Sequence, residues 1–158
     1  MADAKITTAQ IRETGASAYA VDIEVSGHRL LGDEPASFGG GDLGPAPYDL
    51  LLAALGECTA MTVRWYALQQ KWPLEHVSVT LSHRKVKREE LGADDAARLP
   101  TPGQTGDRPL PVVDVFDKKV TITGDALSAE QKQKLHDVAA KCPVQRTLVN
   151  GALVKSQA

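Results

Sequence analysis

Between Pro47 and Pro73 no proline interrupts the chain, and every side chain in the stretch "LLLAALG" is apolar or absent. Proline suits the first turn of a helix and stops one elsewhere, so a single helix over about residues 47–70 is expected. Leu51, Ala54, Leu55, Cys58, Met61, Thr62 and Trp65 recur at helical spacing and form one stripe. That stripe turns Cys58 toward the interior or toward an interface. A helix apolar on several faces needs several neighbours. In a chain of 158 residues, a second subunit is the expected source, and a homodimer is the expected state.

The remaining elements follow from alternation and turn residues. Residues 5–12 and 18–25 alternate loosely and read as strand, turn, strand, with Gly27 after the second. The next twenty residues, "HRLLGDEPASFGGGDLGPAP", hold too many glycines and prolines for a regular element and read as a loop in which Gly39, Gly40 and Gly41 permit unusual backbone shapes. After Pro73, Val77, Val79 and Leu81 alternate with polar residues as a half-covered strand, continued by the basic "HRKVKRE". In "FDKKVTITG", Phe116, Lys118, Val120 and Ile122 share a parity, with the lysine breaking an apolar run. Ser128 and Gln131 form a capping box for a helix whose inner face is Leu135, Val138 and Ala139. Cys142 returns to that face, and Pro143 opens a further short helix at "CPVQRTLV". Residues 88–112, rich in charge and then in Pro and Gly, read as a long loop. The whole is a single α+β domain over residues 1–158, with helices packed on antiparallel sheet.

Charge excludes some functions. Eighteen basic against twenty acidic side chains leave a net charge of -2, which gives no general field for nucleic acid. No segment has about twenty uninterrupted apolar residues, so no membrane span is expected. The start "MADAKITTAQ" lacks the apolar core of a signal peptide, and a cytoplasmic location is expected. In that compartment a disulfide is more often transient and catalytic than structural.

The chain has two cysteines, Cys58 and Cys142, and no CxxC. His28, His76, His83 and His136 are scattered without ligand spacing, so neither a thioredoxin-like motif nor a zinc site is expected. A peroxidatic cysteine with a resolving partner is one reading: a thiolate attacks peroxide, becomes sulfenic acid, and condenses with the second thiol. Two small buried hydrophobes is the other. Cys58 lies mid-helix and needs an outside cation or donor; Cys142, at a helix start, gains from unsatisfied amides.

The segments "DEPASFGGGDLGPAPYDLLLAALGECTAMTVRWYA" and "KKVTITGDALSAEQKQKLHDVAAKCPVQRTL" resemble the OsmC/Ohr family of osmotically inducible and organic hydroperoxide resistance proteins, in its OsmC-like branch. The resemblance implies an intertwined homodimer in which antiparallel sheets wrap central helices, with active sites near the subunit interface. It implies reduction of organic hydroperoxides, with Cys58 matching the peroxidatic and Cys142 the resolving residue. It further implies a dithiol or lipoyl-type reductant and no metal, haem or nicotinamide. In the family's hydroperoxide reductases a Pro-Glu pair opens the cysteine helix and its glutamate holds an N-terminal arginine over the thiolate. Here Tyr48 stands at that place with Asp49 beside it, and Arg12 and Arg29 are the candidate arginines. Gln145 occupies a word in which the branch commonly has histidine, and "GHRLLGDEP" adds His28, Asp33 and Glu34 as polar groups for the cysteine pocket. The leading expectation is a thiol-dependent peroxidase. The alternative is a dimeric redox-responsive or small-ligand-binding stress protein with little turnover. A cysteine hydrolase is disfavoured because no triad can be nominated.

Overall fold

The structure, a computed structural model, describes residues 6–99 and 111–156. The chain divides into two compact units, Met1–Leu51 and Leu52–Ala158.

The first unit holds three antiparallel strands in the order β1-β2-β3: Ala9–Glu13, Val21–Val25 and His28–Gly32. β1 and β2 are shorter than the alternation suggested. A bend at residues 15–19 intervenes, closed by Thr14 N–H donating to the Ala20 carbonyl at 2.9 Å. β3 corrects the loop expected from residue 28 onward. Ser26 and Gly27 both adopt left-handed φ, 51° and 79°, which is the two-residue hairpin turn that folds a strand straight back on its neighbour. Val25 thus pairs with His28 and Val21 with Gly32, and this ladder outweighs the poor strand propensity of the segment.

The rest of the expected loop is ordered by one carboxylate. Buried Asp33 accepts from Ser17 Oγ at 2.8 Å and from the backbone N–H groups of Glu34, Gly41 and Leu43 at 2.8, 2.9 and 3.3 Å. Gly40 is required by close approach: a Cβ there would lie 1.8 Å from the Glu34 carbonyl oxygen. Burial pushes the Asp33 pKa up, but these four donors outweigh it and hold it below the ordinary 3.8. A depressed folded-state pKa gives stability that is present above the unfolded value and lost as pH falls through the folded one. Thermal melts from about pH 6 to about pH 2 should therefore show an acid-driven loss of stability in the parent that is shallower in Asp33→Asn, whose melting temperature is lower at neutral pH.

The second unit carries most of helix α1, Pro47–Gln69, whose first residues belong to the first unit. It continues through β4 (His76–Lys87), α2 (Ala93–Arg98), β5 (Val112–Thr123), α3 (Ala129–Ala139) and α4 (Pro143–Asn150). The 88–112 segment contains a 3-10 turn at Arg88–Glu90 and the short α2, so it is not wholly a loop; its residues 100–110 lie outside the described residues. β4 and β5 form a two-stranded antiparallel ribbon in which Val77 faces Ile122, Val79 faces Val120 and Leu81 faces Lys118. The parity read from sequence is therefore the parity of the inner face.

Helix α1 buries Leu55, Thr59, Val63 and Ala67, a stripe at every fourth residue. Met61 and Trp65, on the stripe expected to face the interior or an interface, are 61% and 60% exposed in the single chain, and Leu68 beside them is 65% exposed. Within one chain the inward face of α1 is thus displaced from the stripe through Cys58. Val63 and Ala67 of this stripe join Leu74, Leu127, Leu135 and Ala139 in one core, flanked by Trp72, Val77, Val120 and Ile122. Leu135 is fully buried in it. Leu135→Ala should cost about 3 kcal/mol, measured by denaturant unfolding, because it leaves a cavity that two helices and a ribbon cannot close.

Candidate active site

Three elements of the second unit converge at one point, and each does so for a local reason. On α1, Thr59 lies on the buried stripe and Cys58 next to it is half-buried. On β5, Lys118 sits on the inner parity of the ribbon. At α4, Cys142 is the N-cap, fully buried, with Pro143 at the first helical position and its Sγ accepting from Gln145 N–H at 3.4 Å. The capping box of Ser128 and Gln131 forms as expected and fixes the start of α3, whose end leads into Cys142.

Both cysteines are free, and the fold brings them near disulfide distance. A separation of 84 residues in sequence has been closed by the fold, giving the chain a thiol redox pair. Thr59 Oγ1 lies 3.4 Å from Cys142 Sγ and 2.7 Å from the Leu55 carbonyl. Lys118 Nζ reaches Thr59 Oγ1 at 3.3 Å, the Ala139 carbonyl at 2.8 Å and Gln145 Oε1 at 2.5 Å. Burial pushes the Lys118 pKa down from 10.5, and the sulfurs of Cys142 and then Cys58 pull it back up. At Cys142 burial pushes the thiol up, but Thr59, Gln145 N–H, Cys58 and Lys118 outweigh it and leave it below the ordinary value.

Lys118 is the residue that the sequence reading did not nominate. Its signal was present: a lysine at an inner-face parity of a strand otherwise filled by Phe116, Val120 and Ile122. A charge at such a position needs partners, and all three of its N–H donors find them on α1, α3 and α4. Gln145, which cannot titrate, holds the lysine with its side chain and the sulfur with its backbone.

The other candidates have partners of their own. Arg12, on β1, donates to Gln10, and Arg29, on β3, lies 3.6 Å from Asp22 and 3.7 Å from Glu24. Both belong to the first unit. Arg64 donates to the Leu74 and Glu75 carbonyls at 2.6 and 2.9 Å and secures the turn after α1. Glu57 lines an open groove of about 410 Å³ with Leu52, Gly56, Ala60, Val79 and Leu81, on a flank of α1 that does not include Cys58. Among the described residues no cluster of three or more His, Cys, Asp or Glu side chains is arranged to hold a metal ion. No described helix is long and apolar enough to cross a membrane.

The family model for OsmC-like proteins matches residues 39–157. The chain belongs to that family. Solved structures agree on the fold. An organic hydroperoxide resistance protein OsmC from Legionella pneumophila is 20% identical with a TM-score of 0.62, over 91% of this chain and 89% of that one. An osmotic stress induced and detoxification response protein from Psychrobacter arcticus is 15% identical with a TM-score of 0.64, over 93% and 91%. An organic hydroperoxide resistance protein from Elizabethkingia anophelis is 14% identical with a TM-score of 0.60, over 93% and 90%. A comparison with curated protein sequences finds no match.

Proposed function

We propose that this protein reduces organic hydroperoxides with its cysteine pair, Cys58 attacking the peroxide and Cys142 resolving the sulfenic acid to a disulfide that an external dithiol or lipoyl-type thiol reduces. The carrying observation is the approach of two free thiols from distant parts of the chain to near disulfide distance, in the fold of organic hydroperoxide resistance proteins. The half-buried Cys58 is the member a substrate can reach, whereas Cys142 is fully covered. The cycle closes without a metal or an organic cofactor, since a sulfenic acid and a thiol yield disulfide and water.

The working unit in this reading is a homodimer. Met61, Trp65 and Leu68 present an apolar face along α1 that is more than half exposed in the single chain, and such a face on a central helix calls for a partner. The same arrangement leaves the arginine role of the family to Arg12 or Arg29. Arg12 is the better candidate, because it makes no ion pair among the described residues while Arg29 is held between two carboxylates. The cytoplasm, where dithiol reductants are plentiful, is the compartment this chemistry suits.

Tyr48 at the head of α1 keeps a second reading, a redox-responsive or ligand-binding protein with little turnover. Steady-state assays separate the two. The peroxidase consumes about one dithiol per organic hydroperoxide over many cycles, while the alternative stops after a single oxidation; hydrolysis of an ester without any reductant would overturn both.

A further inference from the structure

The side chain of Lys118 ties four elements together. From the inner parity of β5 its ammonium donates to Thr59 Oγ1 on α1 at 3.3 Å, to the Ala139 carbonyl at the end of α3 at 2.8 Å and to Gln145 Oε1 on α4 at 2.5 Å. The Ala139 carbonyl is among the last four of α3, which no N–H of their own helix reaches. A lysine there also meets the negative end of the helix dipole. An apolar side chain of the same parity would fill the space without the cost of a part-buried charge, but would bring no donor to any of the three acceptors.

Two of the three residues that accept from Lys118 also hold the sulfur of Cys142. Thr59 Oγ1 lies 3.4 Å from Cys142 Sγ, and Gln145 sends its backbone N–H to the same sulfur at 3.4 Å. Gln145 is therefore a strap, its amide oxygen on the lysine and its N–H on the thiol. The strap matters because α4 has little else to hold it. The helix is eight residues long, too short to be stable by itself. None of its residues is buried in the single chain, and only its N-cap, Cys142, enters the interior. Polar bonds that lead back to Lys118, rather than an apolar face of α4, set where Cys142 stands.

We propose that Lys118 is the positioning residue of the resolving step: through Gln145 and Thr59 it holds Cys142 Sγ in reach of Cys58, and so decides how often a Cys58 sulfenic acid becomes a disulfide before a second peroxide oxidises it. This rests on the peroxidase reading of the pair. Cys58 is the residue that meets the peroxide, and Lys118 acts on the step that follows. In that step Cys142 Sγ attacks the sulfenic sulfur of Cys58. The S–S bond forms as the S–O bond breaks, and the departing hydroxide leaves with the Cys142 thiol proton as water. The sulfur of Cys142 is oxidised and that of Cys58 reduced, so no further reactant is needed. An intramolecular attack of this kind depends steeply on placement, and a displacement of about 1 Å can cost about a hundredfold in rate. Overoxidation has no such requirement, since its second hydroperoxide arrives by diffusion. Loosening the strap therefore tilts the competition toward sulfinic acid.

A chromogenic aromatic disulfide, dithiobis(nitrobenzoate), separates the steps without peroxide. Half-buried Cys58 attacks it and releases one thionitrobenzoate, in a phase whose rate scales with the reagent. Cys142 then attacks Cys58 Sγ of the mixed disulfide and releases a second, in a phase whose rate does not. In Lys118→Met the second phase should slow about tenfold or more, and by a larger factor than the first. Lys118→Arg should recover part of the loss. Gln145→Leu keeps the cation and the backbone N–H but removes the amide, and it should slow the second phase as well. The double variant should be no slower than Lys118→Met alone, because Gln145 acts through the lysine. With cumene hydroperoxide the same variants should accumulate sulfenic acid on Cys58 and reach the sulfinic state at about tenfold lower peroxide. A second phase unchanged in Lys118→Met and Gln145→Leu, or slowed no more than the first, overturns the proposal. If Lys118→Met does not fold, Gln145→Leu, on a helix that buries none of its residues, decides by itself. A slowed second phase in a protein that does not consume peroxide leaves the placement of Cys142 by Lys118 standing and removes the peroxidase; peroxide turnover with an indifferent second phase does the opposite.

Discussion

Cys58→Ser should abolish hydroperoxide-dependent oxidation of added dithiol, a loss on the order of a thousandfold or more, because the thiol that remains, Cys142, is fully buried where a hydroperoxide does not reach it. Cys142→Ser should behave differently. Cys58 can still be oxidised once, but its sulfenic acid has no thiol of the same chain beside it. Mass spectrometry should then find one added oxygen on Cys58, advancing to two or three with excess peroxide. The asymmetry is the informative part, since two cysteines that merely packed would give two small and similar stability losses. Equal steady-state turnover by both single variants and the parent would contradict the two-cysteine cycle.

Replacing Met61 and Trp65 together by glutamate should convert a dimer to a monomer, with affinity weakened about a hundredfold or more. The two side chains are about 60% exposed in the single chain, one helical turn apart on α1, and Leu68 extends the same face. Two carboxylates there would meet their symmetry mates across a two-fold interface and be buried without partners. Sedimentation velocity measures the outcome. A wild-type chain that sediments as a monomer at micromolar concentration, or a double variant that still dimerises, would contradict this part of the account. Leu135→Ala, by contrast, should lower stability without changing assembly, because Leu135 lies wholly within one chain's core.

Much of the architecture was legible because it rests on local rules. Pro47 and the proline-free run fixed α1 to within a residue of its observed end, and the Ser128–Gln131 box fixed α3. Alternation identified both strands of the long ribbon and the inner parity on which Lys118 sits. β3 was missed because glycine and proline counts were weighed over twenty residues at once, while the strand is decided by a two-residue turn at Ser26 and Gly27. The stripe through Cys58 was expected to face the interior or an interface, and which side of α1 meets the ribbon was not legible, because a helix apolar on several sides has no single moment to read and the choice depends on elements distant in sequence. The cysteines were nominated from their flanking words. Their approach, and the lysine that faces them, depend on β5 and α4 meeting α1, which no local window contains.

The most direct test of the central claim is stopped-flow loss of reduced Cys58 on mixing with stoichiometric cumene hydroperoxide, followed by mass analysis of the product. The account predicts rapid, saturable oxidation that ends in an intramolecular Cys58–Cys142 disulfide, with one alcohol formed per peroxide. Oxidation no faster than that of a free model thiol, or a product without that bond, would contradict it.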